Sequence, residues 1–172
     1  AAEFYDYDPR KVMLIVQKHR EDELEKLLKS ETIWNCGQCM SCKTRCPREN
    51  TPGMVIQALL KVSQETGNFV HSAKGRQQLK IKRAVANNIL SHGYCVHPDT
   101  LLPEKHPEQG AVWEWIYENR QDVYERLGAN MYREGPGAVR KIDEESMEEL
   151  RAIFRETGGD RMFQLIEYFS EE

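Results

Sequence analysis

Cys36-Gly37-Gln38-Cys39-Met40-Ser41-Cys42-Lys43-Thr44-Arg45-Cys46-Pro47 holds the densest chemistry in this chain. Its cysteines are separated by two, two and three residues and closed by a proline. That is the spacing of a bacterial ferredoxin-type run, which ligates a [4Fe–4S] cluster. Three thiolates two residues apart can curl around one face of a cubane, while N–H groups of the same loop offset its negative charge. Gly37 lets the loop approach closely, and Pro47 turns the chain into a new segment. Lys43 and Arg45 put positive charge beside the more anionic, reduced form. Cys36, Cys39, Cys42 and Cys46 are therefore the candidate cofactor and metal ligands.

Zinc is the main competitor. Structural zinc sites usually take their ligands as two separated pairs. Here all four cysteines share one short loop, and no matching Cys or His pair follows. A redox dithiol would need only two of them. The fourth ligand stays open, because in two-cluster ferredoxins the last cysteine of a run serves the other cluster. Either Cys46 ligates a second cluster whose other ligands precede Ala1, or Cys46 or Cys95 completes the only cluster. Cys95 also reads as a small buried hydrophobe.

Outside this loop the chain is a soluble globular sequence. It has 172 residues, enough for one domain with its own core. Hydrophobic residues make up 40%, and no stretch approaches the roughly 20 apolar residues of a membrane span. Val12 to Val16 is too short and too charged at its flanks for a signal peptide. The start at Ala1-Ala2, without Met, fits an N-terminally incomplete or processed product. A net charge of −4 excludes a general nucleic-acid binder, which needs a basic excess. One stretch runs against this balance. His71 to Asn88 carries Lys74, Arg76, Lys80, Lys82 and Arg83 and no acid. It reads as a solvated helix face or as a docking surface for an acidic partner. Four clustered cysteines of five point to metal ligation in a reducing cytoplasm rather than to a disulfide framework.

The fold class is mainly α. Apolar residues Val12, Met13, Val16, Leu24 and Leu27 predict one helix or two short ones over 10–29, with Pro9 in the first turn. Pro52 opens a helix that Gly67 ends. Ile81, Val85 and Ile89 predict a third over 77–91. Pro98, Pro103 and Pro107 break the pattern over 92–110, which should wrap the body as an extended segment. Residues 110–127 read as one helix with two apolar stripes. One holds Val112, Trp115, Ile116, Val123 and Leu127, the other Trp113, Tyr117 and Tyr124. Such a helix is expected to be buried on both sides, the second side against this chain or another subunit. Asp143 caps a fifth helix ending at Gly158-Gly159, and a short last one carries Met162, Phe163, Leu165, Ile166 and Phe169.

The run with its flanks, Ser30-Glu31-Thr32-Ile33-Trp34-Asn35-Cys36 through Cys46-Pro47-Arg48, resembles the second cluster motif of the heterodisulfide reductase C subunit. Asp8-Pro9-Arg10-Lys11-Val12 resembles that family's inter-motif segment, and the Val55-Ile56 to Ala58-Leu59 helix also fits. The tail, with His97-Pro98-Asp99, His106-Pro107-Glu108 and Trp113-Glu114-Trp115, looks like the C subunit of sulfur-oxidising heterodisulfide-reductase-like complexes. The resemblance implies a helical ferredoxin-like domain over 1–95, followed over 96–172 by an extended segment and a C-terminal helical extension. It implies Cys36, Cys39, Cys42 and Cys46 as ligands of one [4Fe–4S] cluster, with a second cluster if another motif precedes Ala1. It also implies a cytoplasmic electron-transfer subunit that works with a catalytic partner, the B-type subunit of heterodisulfide reductase, and the rest of its complex, in sulfur and disulfide redox metabolism.

Two other readings remain open from the residues. One is a scaffold whose cluster or zinc is purely structural. The other is an enzyme with an open cluster iron. His92, His97 and His106 lie in the proline-rich segment, but no carboxylate at fixed spacing makes them a catalytic set. No catalytic residue is assigned. Trp34 and Met40 read as a shield over the cluster or as plain core.

Overall fold

Local signals set the first helix. Pro9 occupies the first turn, where its missing N–H costs nothing, and Asp8 Oδ1 accepts the Arg10 N–H at 2.8 Å. The computed structural model describes residues 4–5 and 7–171, so the Ala1-Ala2 start lies outside the described residues. Two compact units divide the chain. The first comprises residues up to 79 together with 161 onward, and the second residues 80–160. Among the described residues the architecture is helical, with no β-strand and one isolated bridge between Ala129 and Ala138. No helix among them is long and apolar enough to cross a membrane.

In the first unit, α1 (Pro9–Gln17) and α2 (Glu21–Leu28) are the two short helices expected over 10–29. Glu21, Asp22 and Glu23 in the first turn of α2 and Lys26 in its last complement the helix dipole. After a one-turn helix at Ile33–Asn35 come α3 (Ser41–Arg45) and α4 (Pro52–Glu65). Val12, Leu27, Leu28, Ile33, Ile56 and Leu59 form the core, with Tyr7, Trp34 and Cys36 packed against it. The cysteine loop is thus anchored by its first ligand candidate. Further on, Gly67 adopts φ 74° and Phe69 is fully buried. Helix α5 (Ala73–Ile81) begins four residues before the expected start. Its leading N–H groups are satisfied from a distance, because Glu31 Oε1 accepts from Ala73 at 2.5 Å and from Lys74 at 3.2 Å.

In the second unit a π turn at Lys82–Ala86 runs into α6 (Asn87–His92), which Gly93 ends at φ 76°. The proline segment is not extended, as expected, but a string of single 3₁₀ turns at Pro98–Thr100, Pro103–Lys105 and Pro107–Gln109. Each proline sits at the first position of its turn, where a fixed φ favours helical backbone. The helix expected over 110–127 is broken at Asn119 into α7 (Ala111–Glu118) and α8 (Arg120–Arg126). It is not buried on both sides. Trp113 Nε1 donates to the Leu101 carbonyl at 3.1 Å, yet Val112, Trp115 and Leu127 are 70%, 56% and 77% exposed. Helix α9 (Glu144–Thr157) starts on the expected cap, with Asp143 Oδ1 accepting the Ser146 N–H at 2.8 Å, and ends at Gly158. Helix α10 (Gly159–Glu171) closes the chain, all but its first two residues belonging to the first unit.

Candidate functional site

The loop between the Ile33–Asn35 turn and α4 carries Cys36, Cys39, Cys42 and Cys46, all as free thiols. Cys39 is exposed and the other three are half-buried. The backbone over 37–40 belongs to no helix, and Gln38 and Met40, either side of Cys39, both take left-handed φ of 50° and 58°. Non-glycine residues reach that region at a cost of roughly 1–2 kcal/mol each, so something must hold them there. Gln57 of α4 does this for Gln38, its Nε2 donating to Gln38 Oε1 at 3.1 Å. Met40 rests its sulfur against Gly53, where an added Cβ would lie 3.0 Å from it.

The thiols have distinct surroundings. The Cys39 thiol donates to the Ser41 hydroxyl oxygen at 3.3 Å, and hydrogen bonding with the Ser41 side chain and then its backbone holds that thiol below its ordinary range. The N–H groups of Arg48 and Asn50 do the same for Cys46. Cys42 Sγ accepts the Gly53 N–H at 3.4 Å. Burial first, and then the Cys36 sulfur beside it, push the Tyr7 hydroxyl well above the ordinary tyrosine range. Trp34 and Cys36 line a groove of about 460 Å³ with Gln38, Gln57, Leu60 and Gln78. The indole N–H of Trp34 is buried there without an acceptor among the described residues.

The sequence thus named the loop, and the structure places all four of its cysteines in the first unit and Cys95, exposed, in the second. The four do not converge on a point. Among the described residues no three His, Cys, Asp or Glu side chains are arranged to hold a metal ion. The fit to a sulfur-rich cluster lies in the donors. Four thiols occupy one loop, the Gly53 N–H already reaches the Cys42 sulfur, and hydrogen bonds hold the Cys39 and Cys46 thiols below their ordinary range. Sequence reasoning missed Gly53 and Tyr7. The only signal for Gly53 is a poor helix former placed directly after the opening Pro52. Tyr7 carried none.

Of the three histidines in the proline-rich segment, two meet. His92 and His97 stack in the second unit at 4.5 Å, while His106 pairs separately with Glu108. His97 is buried, and its Nδ1 accepts the Asp99 N–H at 3.3 Å. Asp99 in turn accepts from Arg120 at 2.6 Å and Tyr132 at 2.5 Å. His97 is the buried member of this network, and Asp99, Arg120 and Tyr132 are partly exposed.

Over 144 residues, 83% of its length, the chain is 30% identical to the C subunit of the ferredoxin:CoB-CoM heterodisulfide reductase of Methanosarcina acetivorans. The chain is thus a relative of the heterodisulfide reductase C subunits. The same family name is carried by the CoB–CoM heterodisulfide reductase iron–sulfur C subunit 2 of Methanocaldococcus jannaschii, 27% identical over 81 residues, or 47% of this chain. The matches span 54% of the first relative and 39% of the second, so this chain corresponds to about half or less of these C subunits. No protein-family model matches the chain, and no solved structure does. The second of these relatives is named an iron–sulfur subunit.

Proposed function

We propose that this chain is the iron–sulfur electron-transfer subunit of a heterodisulfide-reductase-like complex, holding a [4Fe–4S] cluster on Cys36, Cys39, Cys42 and Cys46. The observation that carries this reading is the set of four free thiols in one loop, with the Gly53 N–H directed at one of their sulfurs. When bound, the cluster supplies one-electron redox chemistry. The chain's own residues then have three tasks. The four thiols bind the metal. The N–H groups of Gly53, Ser41, Arg48 and Asn50 offset negative charge on sulfur. Trp34 and Met40 keep water from one side. None of these residues moves a proton, which suits a wire and not a catalyst. Cys46 is favoured over Cys95 as the fourth ligand because it shares the loop and receives its own N–H donors.

On this reading residues 1–95 are the ferredoxin-like part and 96–172 a helical extension. The partner is a protein of the B-subunit type, and the exposed Val112, Trp115 and Leu127 offer it apolar contacts. Four reduced thiols suit the cytoplasm, and the curated relatives suggest disulfide redox metabolism as the setting. Basic residues of 71–88 are less suited to docking than their composition implied. Lys74 bonds Asn35 and lies over the Tyr5 ring, and Arg76 donates to the Val70 carbonyl at 2.9 Å.

The test is anaerobic purification, an iron count per chain and a redox-titrated EPR spectrum. About four irons with a reversible low-potential signal are expected for a single [4Fe–4S] cluster. Bound zinc without colour would sink the proposal in favour of a structural site.

A further inference from the structure

The first turn of α4 meets the cysteine loop at one atom pair. Pro52, at the first helical position, has no N–H to offer. Met54 turns its N–H back to the Thr51 carbonyl at 3.0 Å. Between them the Gly53 N–H is the free leading donor of a 14-residue helix, and it reaches Cys42 Sγ at 3.4 Å. Gly53 is itself buried, and a Cβ built on it would lie 3.0 Å from Met40 Sδ and 3.5 Å from Cys42 Sγ. The Met40 sulfur would have to give by a few tenths of an ångström, while the Cys42 sulfur would be in ordinary contact. Gly37, the other glycine of the loop, is different. A Cβ there meets nothing within 4 Å.

We infer that Gly53 is a positioning residue that sets the reduction potential of the group held by the loop, through its N–H on the Cys42 sulfur. This rests on the iron–sulfur reading above. Reduction adds one electron and no proton, and places more negative charge on the ligand sulfurs. A donor already aligned with that sulfur, at the positive end of α4, stabilises the reduced form more than the oxidised one. Hydrogen bonds to the sulfurs are one of the controls on such potentials. A Cβ at residue 53 would press on Met40 Sδ at 3.0 Å and sit against Cys42 Sγ at 3.5 Å, so a side chain there crowds the atoms beside the donor.

The test compares Gly53→Ala with the wild-type protein, each reconstituted and assayed for iron before anything else. Gly53→Ala is expected to disfavour reduction by a factor of about three to ten relative to wild type, the weight of one weakened hydrogen bond. A second readout is spectroscopic. Protein made with ¹⁵N-glycine in the Gly37→Ala background is reduced, and its electron spin echo is examined for glycine nitrogen. Modulation is expected, and it should vanish when Gly53 is also replaced by Ala. A wild-type midpoint in Gly53→Ala, or no glycine modulation, overturns the inference. If Gly53→Ala takes up no iron, the labelled Gly37→Ala protein decides by itself. Wild-type protein without iron refutes the iron–sulfur reading instead, so the two failures are separable.

Discussion

The Ser63 hydroxyl donates to the Leu28 carbonyl at 2.8 Å, fully buried, and so ties the middle of α4 to the last residue of α2. Leu28 is one of the helix-end carbonyls that has no partner within its own helix. The cysteine loop leaves from one of these helices and returns to the other, so this bond braces both of its supports. Ser63→Ala would leave that carbonyl buried and unsatisfied. A loss of about 1–3 kcal/mol is expected in urea unfolding of the apoprotein, with Ser63→Thr recovering part of it.

Single Cys→Ser replacements separate the ligand candidates. Cys36, Cys39, Cys42 and Cys46 should each lower iron per chain and change the EPR signal. Cys95→Ser, in the second unit, should leave both unchanged. Iron retained in Cys46→Ser but lost in Cys95→Ser would reverse the assignment of the fourth ligand.

Gly67 adopts φ 74°, and a Cβ there would lie 2.6 Å from the Phe169 ring. Backbone strain and overpacking therefore act together in Gly67→Ala. The expected destabilisation is about 2–4 kcal/mol, read from the denaturant midpoint at unchanged m-value. Phe169→Leu in the same background should recover part of it by removing the ring.

Acid should weaken the second unit before it protonates its carboxylates. Burial, and then the neighbouring His92, hold the buried His97 below the ordinary histidine range, with Asp99 pulling the other way. The unfolded chain therefore binds more protons than the folded one between the two values. His97 contributes stability that is fully present above its unfolded pKa of about 6.5 and lost as pH falls through the lower folded value. Asp99 is also held low, the hydrogen bonds from Tyr132 and Arg120 outweighing its burial, so it adds a further loss at more acid pH. Urea midpoints measured downward from about pH 7.5 should fall through the histidine range. His97→Gln should flatten that part of the curve.

Trp115 stands 56% exposed on α7, three residues after the exposed Val112. Trp115→Ser should change the stability of the isolated chain by no more than about 0.5 kcal/mol, as for other surface positions. The same change should reduce co-purification with a cysteine-rich partner of the B-subunit type. Full retention of the partner would remove this face from the docking proposal.

Much of the helical pattern was legible because its signals are local. Pro9 and Asp8 open α1, Pro52 opens α4, Asp143 caps α9 and Gly158 ends it, each within a few residues of the backbone groups it serves. The same locality makes the cysteine run readable, since two, two and three residues between thiols is a property of one short loop. The misreadings fall where a partner is distant. Helix α5 starts at Ala73 because Glu31, 42 residues earlier, accepts its first N–H. The apolar periodicity of 110–127 showed two stripes but could not say which one finds a neighbour. Trp113 reaches the Leu101 carbonyl, and Trp115 stays exposed.

The sequence by itself determined a helical chain with one four-cysteine loop, because cysteine spacing and helix caps act over a few residues. Only the tertiary structure decided that Cys36 packs on the core, that Gln57 holds Gln38 in its left-handed turn, and that the free N–H of Gly53 falls on the Cys42 sulfur. Those contacts join segments 11 to 19 residues apart, and their directions depend on how α4 is seated against α1 and α2.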